Sequence, residues 1–263
     1  MKPMITLALA LVALPLAAAP RITNGTLQTF PSLAQAISAA GTGWVGFAIP
    51  AARAVHITCC GDSVTVRGDE RGDLRPAEDS TVYVFARGED GRVERLRVER
   101  LRVDSPSCEL DAGGATVRWA DSVAPAESLA FLRKVVDDGS RRAVNGALLA
   151  LSLHAGADET LIRIAHDHPD AHVRGTALFW LSQQAGEKAA AALRDAVDND
   201  PEESVRAKAV FGISLLPDDQ SVPILIDLLK HNASREVRRK AAFWLGQKKD
   251  PRALQAIEDI LRQ

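Results

Sequence analysis

The side chains best suited to chemistry fall in two places. Cys59, Cys60 and Cys108 are the only cysteines. In an oxidising compartment Cys60 would pair with Cys108, with Cys59 as the alternative, closing a loop of about fifty residues. Such a closure contributes about 3–4.5 kcal/mol in the chain-entropy model. The spare thiol is then either buried or reactive. Three cysteines without CxxC spacing lack the fourth ligand of a structural metal site. With His56 and Asp62 close by, this is also the segment in which an enzyme would keep a nucleophile and a base. The second place is His166-Asp167-His168-Pro169-Asp170-Ala171-His172. His166, His168 and His172, with the carboxylates between them, are of the type that binds Zn or Cu. Ligands bunched on one turn rarely converge, however, and a solvated polar turn is the simpler expectation. No metal and no cofactor is assigned.

Three further motifs are weaker. Gly61-Asp62-Ser63 resembles the start of the nucleophile block in GDS-type hydrolases, but a strand follows it and no Asp-x-x-His occurs later. A hairpin turn explains it. Arg67-Gly68-Asp69 and Arg71-Gly72-Asp73 imitate an adhesion tripeptide, and Gly-Asp pairs are also ordinary turn chemistry. Arg92 to Arg102 carries five arginines and two glutamates, as a solvated sheet face would. Its alternation slips between Val98 and Leu101, where a β-bulge is expected.

Composition bounds the function. The 263 residues carry 32 Lys+Arg against 34 Asp+Glu, a net charge of -2, which argues against a nucleic-acid binder. With 46% hydrophobic and 25% charged residues the chain is globular. Residues 1–19, MKPMITLALALVALPLAAA, read as a secretory signal peptide: Lys2 ahead of an apolar run and small residues at Ala17-Ala18-Ala19. Pro20 directly after Ala19 shifts the cut by a residue or more. No later stretch approaches eighteen apolar residues, so no membrane insertion is expected after cleavage. Arginine outnumbers lysine 24 to 8, which suggests a GC-rich bacterial genome. The expected address is periplasmic or secreted.

The elements that must position these residues come in two grammars. Residues 20–122 read as a small, mostly antiparallel β-rich domain: strand-like runs at Trp44–Ile49, Val55–Cys60, Ser63–Val66, Thr81–Ala86, Arg92–Val103 and Thr116–Trp119, and one helix from Pro31 to Ala40. No long helix separates consecutive strands, so a small sandwich or curved sheet is expected. In residues 123–263 helical periodicity takes over. After a lone helix, Glu127 to Val136, the chain repeats itself. Val173 to Ser182 recurs at Val205 to Ser214 and at Val237 to Gly246, each offset by 32, and a looser copy begins at Ala143. Each copy is followed by a second apolar helix, around Leu161, Leu193, Leu225 and Ile257. Capping residues are expected at Ser221 and Asp250, and a capping box at Asp200 to Glu203.

Val173, Thr176, Ala177, Trp180 and Leu181 share one helix face. A helical hairpin of some thirty residues cannot shield both of its sides. Burying one Leu or Ile contributes about 1.5–3 kcal/mol, so such hairpins hold only when neighbours stack. Phe179, Phe211 and Phe243 lie off the main stripe and are expected to touch the next repeat.

The repeat resembles the HEAT repeat, in the short bacterial form also found in phycobilin lyases. Val237-Arg238-Arg239-Lys240-Ala241-Ala242-Phe243-Trp244-Leu245-Gly246-Gln247, followed by Asp250-Pro251-Arg252-Ala253-Leu254, carries the likeness, which spans roughly residues 140–263. It implies an α-solenoid of about four hairpins that presents a curved surface to a protein partner. The lyase activity does not carry over, because no lyase-specific residue maps. Residues 21–122 resemble the N-terminal domains that precede such repeats in exported bacterial proteins. The expected fold is therefore α+β. The expected function is that of an exported, non-enzymatic scaffold whose concave face is built from the second helices. Its candidate partner-binding residues are Arg163, Arg194, Asp227, Lys230, Glu258 and Arg262. The alternative is an enzyme with its chemistry near Cys59-Cys60.

Overall fold

The computed structural model describes residues 19–50, 81–89, 91–99, 110–184 and 186–262. Residues 1–18, which hold nearly all of the expected signal peptide, His56, Cys59, Cys60, Asp62, both RGD tripeptides and Cys108 lie outside the described residues.

Eight elements form the N-terminal part: β1 (Ile22–Thr23), β2 (Thr26–Phe30), α1 (Leu33–Ala40), β3 (Trp44–Pro50), β4 (Thr81–Glu89), β5 (Arg92–Glu99), β6 (Leu110–Asp111) and β7 (Thr116–Ala120). Five strands make one sheet in the order β2-β7-β3-β4-β5, and β1 pairs with β6 beside it. The long pairs β3–β4 and β4–β5 are antiparallel, as expected. The β2–β7 and β3–β7 pairs are parallel, so the sheet is mixed. The parallel edge arises because α1 carries the chain from β2 across to β3, leaving a slot that β7 fills later. Ser32 caps α1, accepting from the Gln35 N–H, and Gly41 ends it at φ 52°. The register shift lies at Arg87/Gly88 in β4, while the expected site at Val98–Leu101 runs into residues that are not described.

Alternation divides the sheet into two faces. Val45, Phe47, Ile49, Val82, Val84, Ala86, Leu96 and Val98 point to one side and are buried. There they join Leu33, Ala36, Leu132, Val135 and the helical core in one continuous cluster. On the opposite side Trp44, Tyr83, Phe85, Val117 and Trp119 cluster with Leu110 and Ala112.

The helical part is α2 (Pro125–Asp138) followed by four hairpins: α3–α4 (Arg141–Leu153, Asp158–Asp167), α5–α6 (Ala171–Ser182, Glu187–Asn199), α7–α8 (Glu203–Leu215, Asp218–His231) and α9–α10 (Arg235–Gly246, Pro251–Leu261). The first helices of successive hairpins stack directly on one another, while the second helices stand further apart. Small residues permit the close row: Ala147, Ala177, Ala209 and Ala241 are fully buried. Leu161, Leu193 and Leu225 fill the interior from the second helices, all at 0% exposure. The solenoid of the sequence reading is thus present.

Two capping expectations need correction. Helix α8 begins at Asp218, with Pro223 inside it, so Ser221 is not a cap but a fully buried residue. Helix α7 is capped by Glu202 with no side-chain bond. Asp200 instead closes the turn, as described below. The cap at Asp250 is present, accepting from the Arg252 N–H with Pro251 in the first turn.

The sheet closes the first end of the stack. Ser140 Oγ donates to the Glu94 carbonyl at 2.7 Å, and Arg92 donates to the Asp138 and Gly139 carbonyls at 2.7 and 2.6 Å. Helix α3 approaches β5 so closely that a Cβ at Gly146 would fall on the Leu96 carbonyl oxygen. Gly146→Ala should therefore destabilise the protein by about 1–3 kcal/mol, the range for overpacking, despite alanine's better helix propensity. Urea unfolding checks the sign: a stabilised variant would show that α3 does not seat on β5.

Candidate functional site

Each inter-hairpin turn is built by the same device. His168, Asp200 and Asn232, spaced by 32, end α4, α6 and α8. Their side chains accept from the N–H two residues on: His168 Nδ1 from Asp170 at 3.1 Å, Asp200 Oδ1 from Glu202 at 2.9 Å and Asn232 Oδ1 from Ser234 at 3.0 Å. An arginine in the next helix then reaches back to two carbonyls. Arg174 donates to His168 and Pro169, Arg206 to Asp200 and Pro201, and Arg238 to Asn232 and Ala233, all at 2.7–3.1 Å. These are carbonyls left unsatisfied near a helix C-terminus, where a cation is also favoured by the helix dipole.

Arg174 does one thing more. Its Nε and second amino group bind the two oxygens of Asp200 at 2.8 and 2.9 Å, and both side chains are buried. Burial pushes the Asp200 carboxyl up, but the bonds from Arg174 and the Glu202 N–H outweigh it and hold it below its usual value. Positions His168, Asp200 and Asn232 are equivalent, yet only the aspartate is engaged bidentately by an arginine of the preceding repeat.

This device separates the three histidines. His166 Nδ1 binds Asp167 Oδ1 at 2.6 Å, which raises its pKa, and its Nε2 lies 3.8 Å from Asp195. His168 is buried in the turn, with Asp137 4.0 Å away. His172 has a buried Nε2 without a hydrogen-bond partner. Among the described residues no three His, Cys, Asp or Glu side chains are grouped to hold a metal.

One pairing was not legible in the sequence. Ser128 in α2 and His154 at the end of α3 meet at 2.7 Å between Oγ and Nε2, and His154 Nδ1 lies 2.6 Å from the Ala155 carbonyl. That carbonyl fixes the proton on Nδ1, so Nε2 accepts from the serine. Each residue is only 1% exposed. Substrate has no route to such a pair, and it serves to latch α2 to α3.

The six partner-binding candidates all lie along the second helices. Arg194 binds Asp198 at 2.7 Å in its own helix and Asp227 at 2.5 Å in the next repeat. Glu258 and Arg262 pair at 3.2 Å. Arg163 and Lys230 are exposed, and the charge of Arg163 helps to lower the pKa of Glu159. Between α4 and α6 the same face opens into a groove of about 340 Å³. Ile162, Ala165, Ala192 and Ala196 line it with apolar surface, and Arg163, His166, Asp167, Asp195 and Asn199 supply its polar groups. The first helices carry an aromatic strip. Phe211 meets Trp244 of the next repeat at 5.1 Å, as expected, whereas Phe179 and Phe243 meet the adjacent Trp180 and Trp244 edge-on and remain partly exposed.

Comparison with known proteins agrees with the helical architecture. Residues 192–263 match the family model of HEAT repeats. No curated protein matches the chain. Among solved structures the chain is similar to one in the complex of CpcE and CpcF of phycocyanin lyase from Nostoc sp. PCC7120. The two are 24% identical, over 52% of this chain and 88% of that one, with a TM-score of 0.41.

Two predictions follow from these turns and latches. Asp200→Asn keeps the turn bond but leaves the Arg174 charge buried without its counter-ion. It should cost about 3–5 kcal/mol, against about 1–3 kcal/mol for Arg206→Met, which loses only bonds to carbonyls. Chemical denaturation of both variants checks the order. For His154, burial lowers the pKa from the ordinary 6.5. The folded chain then binds fewer protons than the unfolded chain as pH falls below that value, so stability present at pH 7 is lost on acidification. His154→Gln should flatten the fall in unfolding free energy between pH 7 and pH 5. An unchanged slope would assign that fall to other groups.

Proposed function

We propose that the protein is an exported, non-enzymatic interaction protein that presents the second helices of its HEAT-type stack to a protein partner. HEAT repeats are suited to that task, because a row of similar hairpins offers a long continuous surface with no single pocket dominating it. The observation that carries the proposal is the concentration of exposed and mutually paired charges, together with one open groove, on the second-helix face. Export rests on the sequence of residues 1–19: a positive start, an apolar run and small residues before Pro20. Among the described residues no helix is long and apolar enough to cross a membrane. The alternative, chemistry near Cys59-Cys60, has in its favour the presence of His56 and Asp62 in the same segment.

Photo-crosslinking in intact cells tests the reading. A benzophenone side chain placed at Arg163 or Lys230 should give a discrete crosslinked species, and one at Asn145, exposed on α3, should not. Mass measurement of the protein recovered from the same cells should show loss of about the first twenty residues. Crosslinks that are absent at both positions, or equally strong at Asn145, would overturn the interaction face. An intact Met1 would overturn export.

A further inference from the structure

Successive junctions between second helices can be compared position by position through the 32-residue repeat. Between α6 and α8 the junction is bridged. Arg194 reaches Asp227 at 2.5 Å, and Asn232 reaches Asp198 at 3.1 Å. Between α4 and α6 the acid is kept and the cation is lost. Asp195 stands where Asp227 stands one repeat later, but Ile162 stands in place of Arg194, and His166 in place of Asp198. The result is the open groove, with Ile162 on its wall and Asp195 at its rim.

Asp195 is left with little. It accepts from Asn199 Nδ2 at 2.7 Å, and His166 Nε2 lies 3.8 Å away, on a ring that already holds Asp167 through its other nitrogen. Asp200, also in the lining, is closed off by Arg174. Arg163 also lines the groove, and its charge helps to lower the pKa of Glu159. The junction between α8 and α10 also has an isoleucine and an aspartate, Ile226 and Asp259, at the bridging positions. There Gln255 binds Asp259 at 2.7 Å, as Asn199 binds Asp195, but Lys230 and Arg262 stand where the α4–α6 junction has His166 and Asp198, so the α8–α10 junction is the more basic of the two.

We propose that the α4–α6 groove is a docking site for an arginine side chain of the protein partner. The aliphatic stem lies on Ile162, Ala165, Ala192 and Ala196, and the guanidinium binds Asp195, taking the place that Arg194 takes against Asp227 in the next junction. Arginine suits such a site because its stem covers apolar surface while its planar head binds a carboxylate. The proposal rests on the interaction-face reading above and names the chemistry of the partner at one point on that face.

The test uses the full chain and two probes of the same shape, N-acetyl-arginine methylamide and its uncharged isostere N-acetyl-citrulline methylamide. In a titration followed by amide chemical shifts, the arginine probe should perturb residues around Ile162–Asp167 and Ala192–Asn199. The citrulline probe should bind more weakly by up to about fivefold, the scale set by a half-exposed charge pair worth up to about 1 kcal/mol. Asp195→Asn should lose the same factor. Ile162→Arg supplies the missing bridge from within and should abolish binding while the thermal midpoint stays level or rises. Equal binding of the two probes, shifts scattered over every surface carboxylate, or a folded Ile162→Arg that still binds would each overturn the proposal. Crosslinks at Lys230 that persist in cells carrying Ile162→Arg, with probe binding unaffected, sink the groove and leave the interaction face standing. Crosslinks missing from the unsubstituted chain, with probe binding intact, do the reverse.

Discussion

A hairpin of two short helices has two broad sides and only one partner helix. Whatever apolar surface it turns outward must be covered by something else, and helices of ten to fourteen residues hold poorly alone in water. In this chain each of the first three hairpins is covered by the one that follows it. Ala177 and Ala209 are fully buried in the row of first helices, while Leu193 and Leu225 fill the interior from the second helices. The requirement does not stop at the first hairpin. There the sheet acts as the missing neighbour, receiving α3 against Leu96 and tying it through Ser140 and Arg92. The two grammars of the sequence are therefore parts of one core rather than two separate bodies. In the fourth hairpin Ala241 is still fully buried, but the second helix is less covered: Val222 is fully buried, and its equivalent Leu254 is 61% exposed.

Stacking leaves a second requirement, which is polar. Every turn between hairpins brings a helix C-terminus, with its unsatisfied carbonyls, into a crowded junction. One arginine per repeat answers it by reaching two carbonyls. The acceptor side chain at the helix end tolerates change, since histidine, aspartate and asparagine all fold the same turn. The middle turn departs from the pattern by adding a carboxylate for Arg174 to hold. A buried guanidinium without a counter-ion is costly, so the fold depends on Arg174 and Asp200 as a pair. They fix the spacing of α5 and the end of α6, the helix that forms one wall of the groove.

How much of this was legible follows from the physics of each signal. The repeat was readable because its burial recurs with the period of the chain, and Val173, Val205 and Val237 must each be hidden in the same way. The alternating strands β3 and β4 were readable because one face meets helices and the other meets aromatics. Strand β2 was not. Its residues Thr26 to Thr29 are exposed on a sheet edge, so burial imposes no alternation on them. The parallel pairing of β7 was hidden for another reason, since it joins segments some ninety residues apart and depends on where α1 sends the chain. The Ser128–His154 contact was equally silent, because neither residue type nor spacing distinguishes it from solvated neighbours. At the candidate face the helices that carry the six charged positions follow from the repeat, but which of those positions pair does not. Arg194 and Asp227 lie in different repeats and meet only through the rise of the stack.

That pairing bears on how the face could work. Ion pairs at a protein surface contribute little, about 0–1 kcal/mol each, so Arg194 with Asp227 and Glu258 with Arg262 are inexpensive to rearrange. A partner that offers its own charges can exchange with them without first exposing a buried ion. The Arg174–Asp200 pair, closed beneath the same helices, cannot exchange in this way, and it keeps the junction in register while the outer pairs are exchanged. The chain thus separates two uses of the same chemistry by depth. Carboxylate and guanidinium are locked together where they set the geometry of the stack, and loosely joined where another molecule can reach them.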